Sequence, residues 1–216
     1  RLTGRMVAIN LEPATIKNND EESVWNLTAG RQATVDNARK AADMGVDMIV
    51  LTGNPGVGVD NEAIMQALSK LKDAVGDRVI LTAGKMHASG IISEAGEKIL
   101  TEKDIVDFID AGADVILLPA PGTVPGITME YAGKLIKKAH EKGALAMTTI
   151  GTSQEGADED TIRQIALMCK MAGADIHHIG DSGYMGMALP ENITAYSVAI
   201  RGKRHTYRRM AMSLLR

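Results

Sequence analysis

A lysine and a histidine follow one apolar run at a spacing that suits chemistry on a carbonyl group. In "TAGKMHASG" (residues 82–90), Lys85 and His87 are two residues apart, directly after that run. If the run is a strand, both side chains share a face, because side chains alternate along a strand. A partly desolvated lysine can form a Schiff base, and it can equally hold a carboxylate or phosphate by its charge. The alternative is a solvated loop lysine.

A glycine-rich segment further along the chain offers an anion site. It follows the apolar run "DIHHI", and Pro190 then begins what reads as a helix. Backbone N–H groups of such a turn, together with a helix N-terminus, can bind phosphate or another anion. The candidate residues, including two after the preceding apolar run, are Gly151, Thr152, Gly180, Asp181, Ser182 and Gly183. The alternative is an ordinary turn with proline at the first helical position.

Acidic, amide and imidazole side chains complete the candidate set. Glu12 could be a general base or a metal ligand, and its alternative is a helix-capping carboxylate. His177 and His178 point to opposite sides of their strand, so one is an inward acid–base candidate and parity does not tell which. For both histidines, the alternative to an acid–base role is a structural role in the core. Asn10 and Asn54 are candidate substrate contacts. No HxH or HExxH spacing occurs, so no metal is predicted, and no motif identifies a cofactor.

A recurring phrase indicates the elements that hold these residues. "DMGVDMIVLTGNPG" (43–56), "DAGADVILLPAPG" (110–122) and "MAGADIHHIGDSG" (171–183) each contain a helix end, a glycine, an aspartate, an apolar run and a turn. With three weaker copies the glycines recur every 30 to 41 residues, which is the period of a βα unit. Each glycine is expected to end a helix in the left-handed conformation. These glycines are Gly4, Gly45, Gly76, Gly112, Gly143 and Gly173.

Helical periodicity fills the intervals between the apolar runs. Helices are predicted within residues 31–44, 60–75, 129–143 and 158–173, and Thr101 is predicted to cap a further helix with Asp104 three residues on. Six βα units with parallel strands follow, as one domain over residues 1–216. We expect a (β/α)₈ TIM-type barrel, and the alternative is an open doubly wound sheet. The barrel is favoured because the repeat is nearly uniform and no early GxGxxG occurs. The abrupt start suggests the C-terminal three quarters of a longer barrel.

Composition and charge exclude several classes of protein. The net charge of −3 does not indicate a nucleic-acid binder, and no apolar run is long enough for a membrane span. Residues 201–216 contain six basic and no acidic residues, which we interpret as the exposed face of a terminal helix or a subunit contact. Cys169 is the only cysteine and is predicted to be a buried structural thiol. A cytoplasmic protein is expected, and homo-oligomerisation stays open.

Several segments together carry a resemblance to a family. "INLEPAT", "VLTGNPGVGVDN", "AGKMHASG", "TIGTSQEGAD" and "HIGDSGYMGMALPENI" resemble an uncharacterised bacterial family of barrel proteins whose members often carry the label haloacid dehalogenase-like hydrolase. "PENI" also resembles a helix start of phosphate-binding barrels. The hydrolase chemistry needs a DxDx[TV] motif at a strand end. The string nearest to that motif, residues 158–162, is predicted to begin a helix, so the resemblance implies a fold and no mechanism.

The polar residues are concentrated where the predicted strands end. Carboxyl ends of parallel strands meet on one face, and that face carries the active sites of barrels. We therefore expect an enzyme with aldolase, lyase or isomerase chemistry on a small phosphorylated or carboxylated metabolite. The alternative is a barrel that binds a metabolite without turnover. The polar loop 14–30, which contains Trp25, is predicted to be a lid over the site.

Overall fold

Helices and strands alternate along the whole chain. A computed structural model describes residues 4–14, 27–53, 58–87, 95–151, 154–180 and 188–212. The strands are β1 (Ala8–Leu11), β2 (Met48–Leu51), β3 (Ile80–Gly84), β4 (Val115–Pro119), β5 (Leu145–Ile150) and β6 (Ile176–Ile179). The helices are α1 (Val35–Asp43), α2 (Asn61–Val75), α3 (Glu102–Asp110), α4 (Met129–Glu141), α5 (Glu159–Ala172) and α6 (Pro190–Ala211). All the predicted helices are present.

The strand order distinguishes the two architectures left open by the sequence. The six strands are all parallel and lie in the order β1-β2-β3-β4-β5-β6. A doubly wound sheet needs a reversal of strand order and helices on both faces, whereas a barrel has sequential order and one outer helix layer. The described strands therefore form a curled half-barrel of the (β/α)₈ type. This result confirms the barrel prediction and excludes the open doubly wound sheet.

The two faces of the sheet have different packing. Outward-facing strand residues such as Ile49, Leu81 and Ile116 join a large core with apolar side chains of α1 to α4. A second core packs α5 and α6 against β5 and β6, and it contains Cys169, which is fully buried as predicted. Burial raises the pKa of the Cys169 thiol. The inner face carries its own smaller cluster, which consists mainly of strand residues.

Local capping explains where the helices begin. Thr101 accepts a hydrogen bond from the Asp104 N–H while the Asp104 carboxylate accepts one from the Thr101 N–H, so the predicted capping box is present. Asp158 caps α5 in the same way through the Thr161 N–H (2.8 Å), which lowers the pKa of the Asp158 carboxyl. The resemblance of this segment to a hydrolase nucleophile motif is therefore only apparent, because these acids begin a helix.

The recurring glycines follow the prediction with one exception. Positive φ angles occur at Gly4, Gly45, Gly112, Gly143 and Gly173, from 62° to 116°. Gly76 is the exception, since it has φ −61° in the right-handed region, and the prediction was wrong there. Arg78 and Val79 both donate to the Val75 carbonyl, so a tight right-handed turn ends α2 without a left-handed residue.

The recurring aspartates have a structural role at the amino ends of the strands. Each carboxylate accepts the N–H of a residue in the preceding strand region, and its own N–H donates back to the carbonyl of that residue. The N–H to carboxylate bonds join Val7 to Asp47 (2.8 Å), Leu81 to Asp114 (2.9 Å) and Ala146 to Asp175 (2.8 Å). Two reciprocal bonds therefore fix the register of β1 with β2, of β3 with β4 and of β5 with β6.

The last helix is interrupted within the basic segment. Gly202 has φ 77° and ψ 160°, so α6 bends there before its second part. In the basic segment as far as residue 212, every residue except Thr206 is exposed. Arg5 donates to the carbonyls of Arg209 and Met212, which ties the end of α6 to the residues before β1. Among the described residues, no helix combines the length and apolar character that a membrane span requires.

Candidate active site

The inner face of the half-barrel changes from apolar to polar toward the carboxyl ends of the strands. Met147 and Ile176 belong to the inner cluster, so residues two positions further along share that face. Val50 packs on the same cluster and stands in register with positions 10 and 82. The polar residues placed on this face are Asn10, Thr82, Thr149 and His178. An apolar floor thus lies below a polar rim, and the rim is at the end of the strands where the active sites of barrels are found.

The two histidines of β6 face different environments. His177 points to the helix layer, where its Nδ1 lies 3.0 Å from the Tyr196 hydroxyl of α6. Burial, assisted by the charge of Arg201, lowers the pKa of His177, and Asp175 opposes this effect. His178 is on the inner face, in register with Thr149 of β5. Of the two candidates, His178 is therefore the one on the side of the rim.

Glu12 lies at the rim between β1 and β2. Its N–H donates to the Arg31 carbonyl (2.7 Å), and its side chain, which is 5% exposed, forms an ion pair with the Arg31 guanidinium. Burial raises the pKa of the Glu12 carboxyl, and the charge of Arg31 partly offsets that rise. A Cβ at Gly53 would lie 3.1 Å from Oε2 of Glu12, so the carboxylate lies over the end of β2. A raised pKa suits a general base or acid near neutral pH.

Lys85 begins the segment after β3. Only 3% of Lys85 is exposed, and lysines are rarely buried to this degree unless charges or hydrogen bonds compensate them. Met86 packs on the inner cluster, and its Sδ lies 3.5 Å from the position of a Cβ at Gly151. The segment therefore leans across the inner face toward the end of β5. Burial lowers the pKa of His87, which favours its neutral form.

The loops after β5 and β6 meet at a corner of the rim. Asn192, at the start of α6, donates to the carbonyls of Glu155 and Ala157 (both 2.9 Å) and so joins α6 to the loop after β5. This asparagine of "PENI" is therefore a structural cross-link. The Glu155 side chain lies against Gly180, where a Cβ would be 3.5 Å from its Cδ. A carboxylate at this point opposes an anion placed directly on Gly180.

Several candidates lie outside the described residues. They are Asn54, Thr152, Asp181, Ser182, Gly183 and the predicted lid residue Trp25. The anion site over these loops thus stays a prediction. Gly151 and Gly180, at its two described ends, lie at the carboxyl ends of β5 and β6 as expected. In the described ranges, no group of three or more His, Cys, Asp or Glu side chains is placed to hold a metal ion.

Four residues of the rim were not selected from the sequence. They are Arg31, Thr149, Glu155 and Asn192. Arg31 is 19 positions from Glu12 along the chain, so no local pattern links the pair. Glu155 is one of several acidic residues before and at the start of α5, so its residue type alone did not distinguish it. For Thr149 the usable signal was its position two residues before Gly151, at the end of the β5 run.

Comparison with known proteins places the chain in a family of undefined activity. The family model described as "Domain of unknown function (DUF7916)" matches residues 1–216. A Haemophilus influenzae protein named "Putative N-acetylmannosamine-6-phosphate 2-epimerase" is 37% identical over 89 residues. That match covers 41% of this chain and 33% of the relative, so it spans a third of the relative's length.

Solved structures with similar folds include two aldolases. The deoxyribose phosphate aldolase of Aeropyrum pernix, described as tetrameric, matches with a TM-score of 0.62 and 16% identity, over 93% of this chain and 73% of its own. An archaeal fructose-1,6-bisphosphate aldolase matches with a TM-score of 0.53 and 14% identity, over 78% and 61%. At these identities the likeness establishes the barrel fold. These relatives lend no support to the hydrolase label.

Proposed function

The chain belongs to the DUF7916 family, and we propose that it is an enzyme converting a small phosphorylated metabolite as a lyase or isomerase. The observation that carries the proposal is the burial of Lys85 directly after β3, at the end of the barrel where active sites form. The names of the relatives agree with this proposal, since an epimerase and two aldolases all act on phosphorylated compounds.

The described residues divide into two functional groups. Lys85 polarises a substrate carbonyl by its charge or through an imine, because a buried cation acts strongly in a region of low dielectric constant. Glu12, His87 and His178 transfer protons. Burial raises the pKa of Glu12 and lowers the pKa of His87, and both shifts favour the uncharged form of the side chain. We do not assign this role to His177, because its ring faces α6.

The substrate anion binds above the ends of β5 and β6. Gly151 and Gly180 are the last described residues after β5 and β6, and the candidates Thr152, Asp181, Ser182 and Gly183 follow them in the sequence. Phosphate sites of barrels occupy the loops after the last two strands and an adjacent helix start. Asn10 and Asn54 are further substrate contacts at the ends of β1 and β2. A homo-oligomer and a cytoplasmic location stay predictions, and light scattering after gel filtration tests the first.

The test combines ligand binding with chemical trapping. The protein is screened by thermal shift against glyceraldehyde 3-phosphate, dihydroxyacetone phosphate, inorganic phosphate and unphosphorylated keto acids, then treated with borohydride and mapped by mass spectrometry. A ligand at 100 times its Kd stabilises by about 2.7 kcal/mol, which raises the melting temperature measurably. We expect a shift with the phosphorylated compounds that is lost in Lys85→Met.

The variants separate the two roles of Lys85. Lys85→Arg keeps the charge but cannot form an imine, so retained function indicates electrostatic action, and a borohydride adduct at Lys85 indicates an imine. Lys98→Met, at an exposed lysine, is the matched control. A shift caused only by unphosphorylated carboxylates, or by no compound at all, refutes a phosphorylated substrate. Binding without turnover would instead favour the metabolite-binding alternative.

A further inference from the structure

Two buried polar groups at the end of β5 lack hydrogen-bond partners. Thr149 is fully buried on the inner face, and its Oγ1 has no partner within the described part of the chain. Glu155 is 7% exposed, and its Oε2 is likewise buried without a partner there. Leaving a buried polar group unpaired is costly, more so for a charged group, so such positions need an explanation.

The surroundings of Glu155 define what can bind there. The side chain packs against Gly180, and Asn192 holds its backbone carbonyl, so the carboxylate is fixed at the corner between β5 and β6. A Cβ at Gly180 would come within 2.8 Å of the Ile150 carbonyl, so glycine is needed for the loops to meet there. An ionised carboxylate only accepts hydrogen bonds, and it repels a phosphate. The corner therefore favours a hydrogen-bond donor.

Thr149 narrows the class of donor. Its hydroxyl can donate and accept, and it stands in register with His178, the inner-face imidazole of β6. Neighbouring strands of a sheet lie about 5 Å apart, so these two residues are adjacent on the inner face. A substrate hydroxyl can donate to a carboxylate and also exchange hydrogen bonds with a threonine and an imidazole. No described cluster of acids supports a metal ion as an alternative.

We propose that Glu155 and Thr149, next to His178, form a subsite for the hydroxyl groups of a polyhydroxylated substrate. The inference rests on the proposed function and adds to it, since it assigns residues to the part of the substrate that carries hydroxyl groups. The hydroxylated carbon chain lies against Glu155 and Thr149. The enzyme then selects sugar or polyol phosphates over phosphate esters of unsubstituted alkyl chains.

The test uses pairs of probes that differ in hydroxyl content. Isothermal titration compares erythritol, xylitol and sorbitol phosphates with butyl, pentyl and hexyl phosphates of matched length. We expect at least one polyol phosphate to bind about tenfold or more tightly than its alkyl counterpart, because hydrogen bonds to charged groups contribute that much to affinity. Glu155→Gln should reduce this ratio about tenfold and leave alkyl phosphate binding unchanged, while Glu191→Gln, at a nearby exposed acid, preserves the ratio.

A second variant protects the test against misfolding. Thr149→Val removes an unpaired hydroxyl and keeps the shape, so it should raise the melting temperature of the free protein. It should also weaken polyol phosphate binding several-fold. If enclosed water alone satisfies the Thr149 hydroxyl, Thr149→Val should change the stability and leave the ratio of polyol phosphate to alkyl phosphate affinity unchanged. That result overturns the subsite.

The outcomes also separate this inference from the proposed function. Equal affinities for polyol and alkyl phosphates, in the range where both bind, overturn the hydroxyl subsite and leave a phosphorylated substrate in place. Failure of every phosphate ester to bind overturns both proposals.

Discussion

The carboxylate of Asp114 provides a direct test of what holds the sheet in register. Its Oδ2 accepts the Leu81 N–H of β3 (2.9 Å), and its Oδ1 pairs with the Lys72 ammonium (2.9 Å). A hydrogen bond to a charged group contributes about 1.5–3 kcal/mol, whereas an ion pair as exposed as this one contributes about 0.2–1 kcal/mol. The side chains of the pair are 41% and 39% exposed. The backbone bond should therefore dominate.

Three variants separate the two contributions. Asp114→Ala removes both and should lower the free energy of unfolding by about 2–3 kcal/mol. Asp114→Asn keeps an acceptor for the Leu81 N–H and should cost about 1 kcal/mol, and Lys72→Met, which removes only the ion pair, should cost about 0.5 kcal/mol.

Urea unfolding at 25 °C, followed by far-ultraviolet circular dichroism, measures these differences, and an unchanged m-value shows that the denatured state is unaffected. If Asp114→Ala costs no more than Lys72→Met, the carboxylate does not hold the register and the reasoning fails.

Two further predictions concern the rim. Because the pKa of Glu12 is raised by burial, its contribution to stability is complete below its ordinary value near 4.5 and is lost as pH rises through the folded pKa. Arg31→Met removes the opposing charge, so stability should decline further with rising pH than in the wild type, while Arg163→Met, at exposed ion pairs, should not change the profile. At Gly84 a Cβ would lie 1.8 Å from the Leu117 carbonyl, so Gly84→Ala should cost about 3 kcal/mol or more by forcing β3 from β4. Gly133→Ala, within α4, should instead stabilise by about 0.5–1 kcal/mol, and equal effects of the two alanines in chemical denaturation would contradict the close approach.

The fold could be predicted because its signals are local and repeated. Gly112 and Asp114 show this well, since Gly112 follows the end of α3 and Asp114 immediately precedes β4. The same frame recurs along the chain, so the uniform period indicated sequential parallel strands. What the frame did not reveal is that the aspartate bonds to the preceding strand region. That contact joins residues such as Leu81 and Asp114, which are 33 positions apart.

The sequence was sufficient to place the candidate residues at the ends of the strands but not to assign the face on which each side chain lies. Parallel strands are buried on both faces, so the sequence "IHHI" lacks the alternation of polar and apolar residues that would show which histidine faces inward. Only the Tyr196 hydroxyl on α6 and the inner cluster show that His177 faces outward and His178 inward. Similarly, Glu12 was selected for its place after β1, but its charge partner Arg31 comes from a distant loop segment.

The environment of the rim bears on the class of reaction. Burial raises the pKa of Glu12 and lowers that of His87, so both shifts favour the uncharged form of the group. Carboxyl and imidazole groups are the side chains that most often transfer protons in enzymes, and such transfer next to a carbonyl is the chemistry of many isomerases and lyases. Neither group supplies the fixed positive charge that an oxyanion needs. Lys85, buried directly after β3, can supply that charge, which agrees with the isomerase or lyase chemistry that we propose.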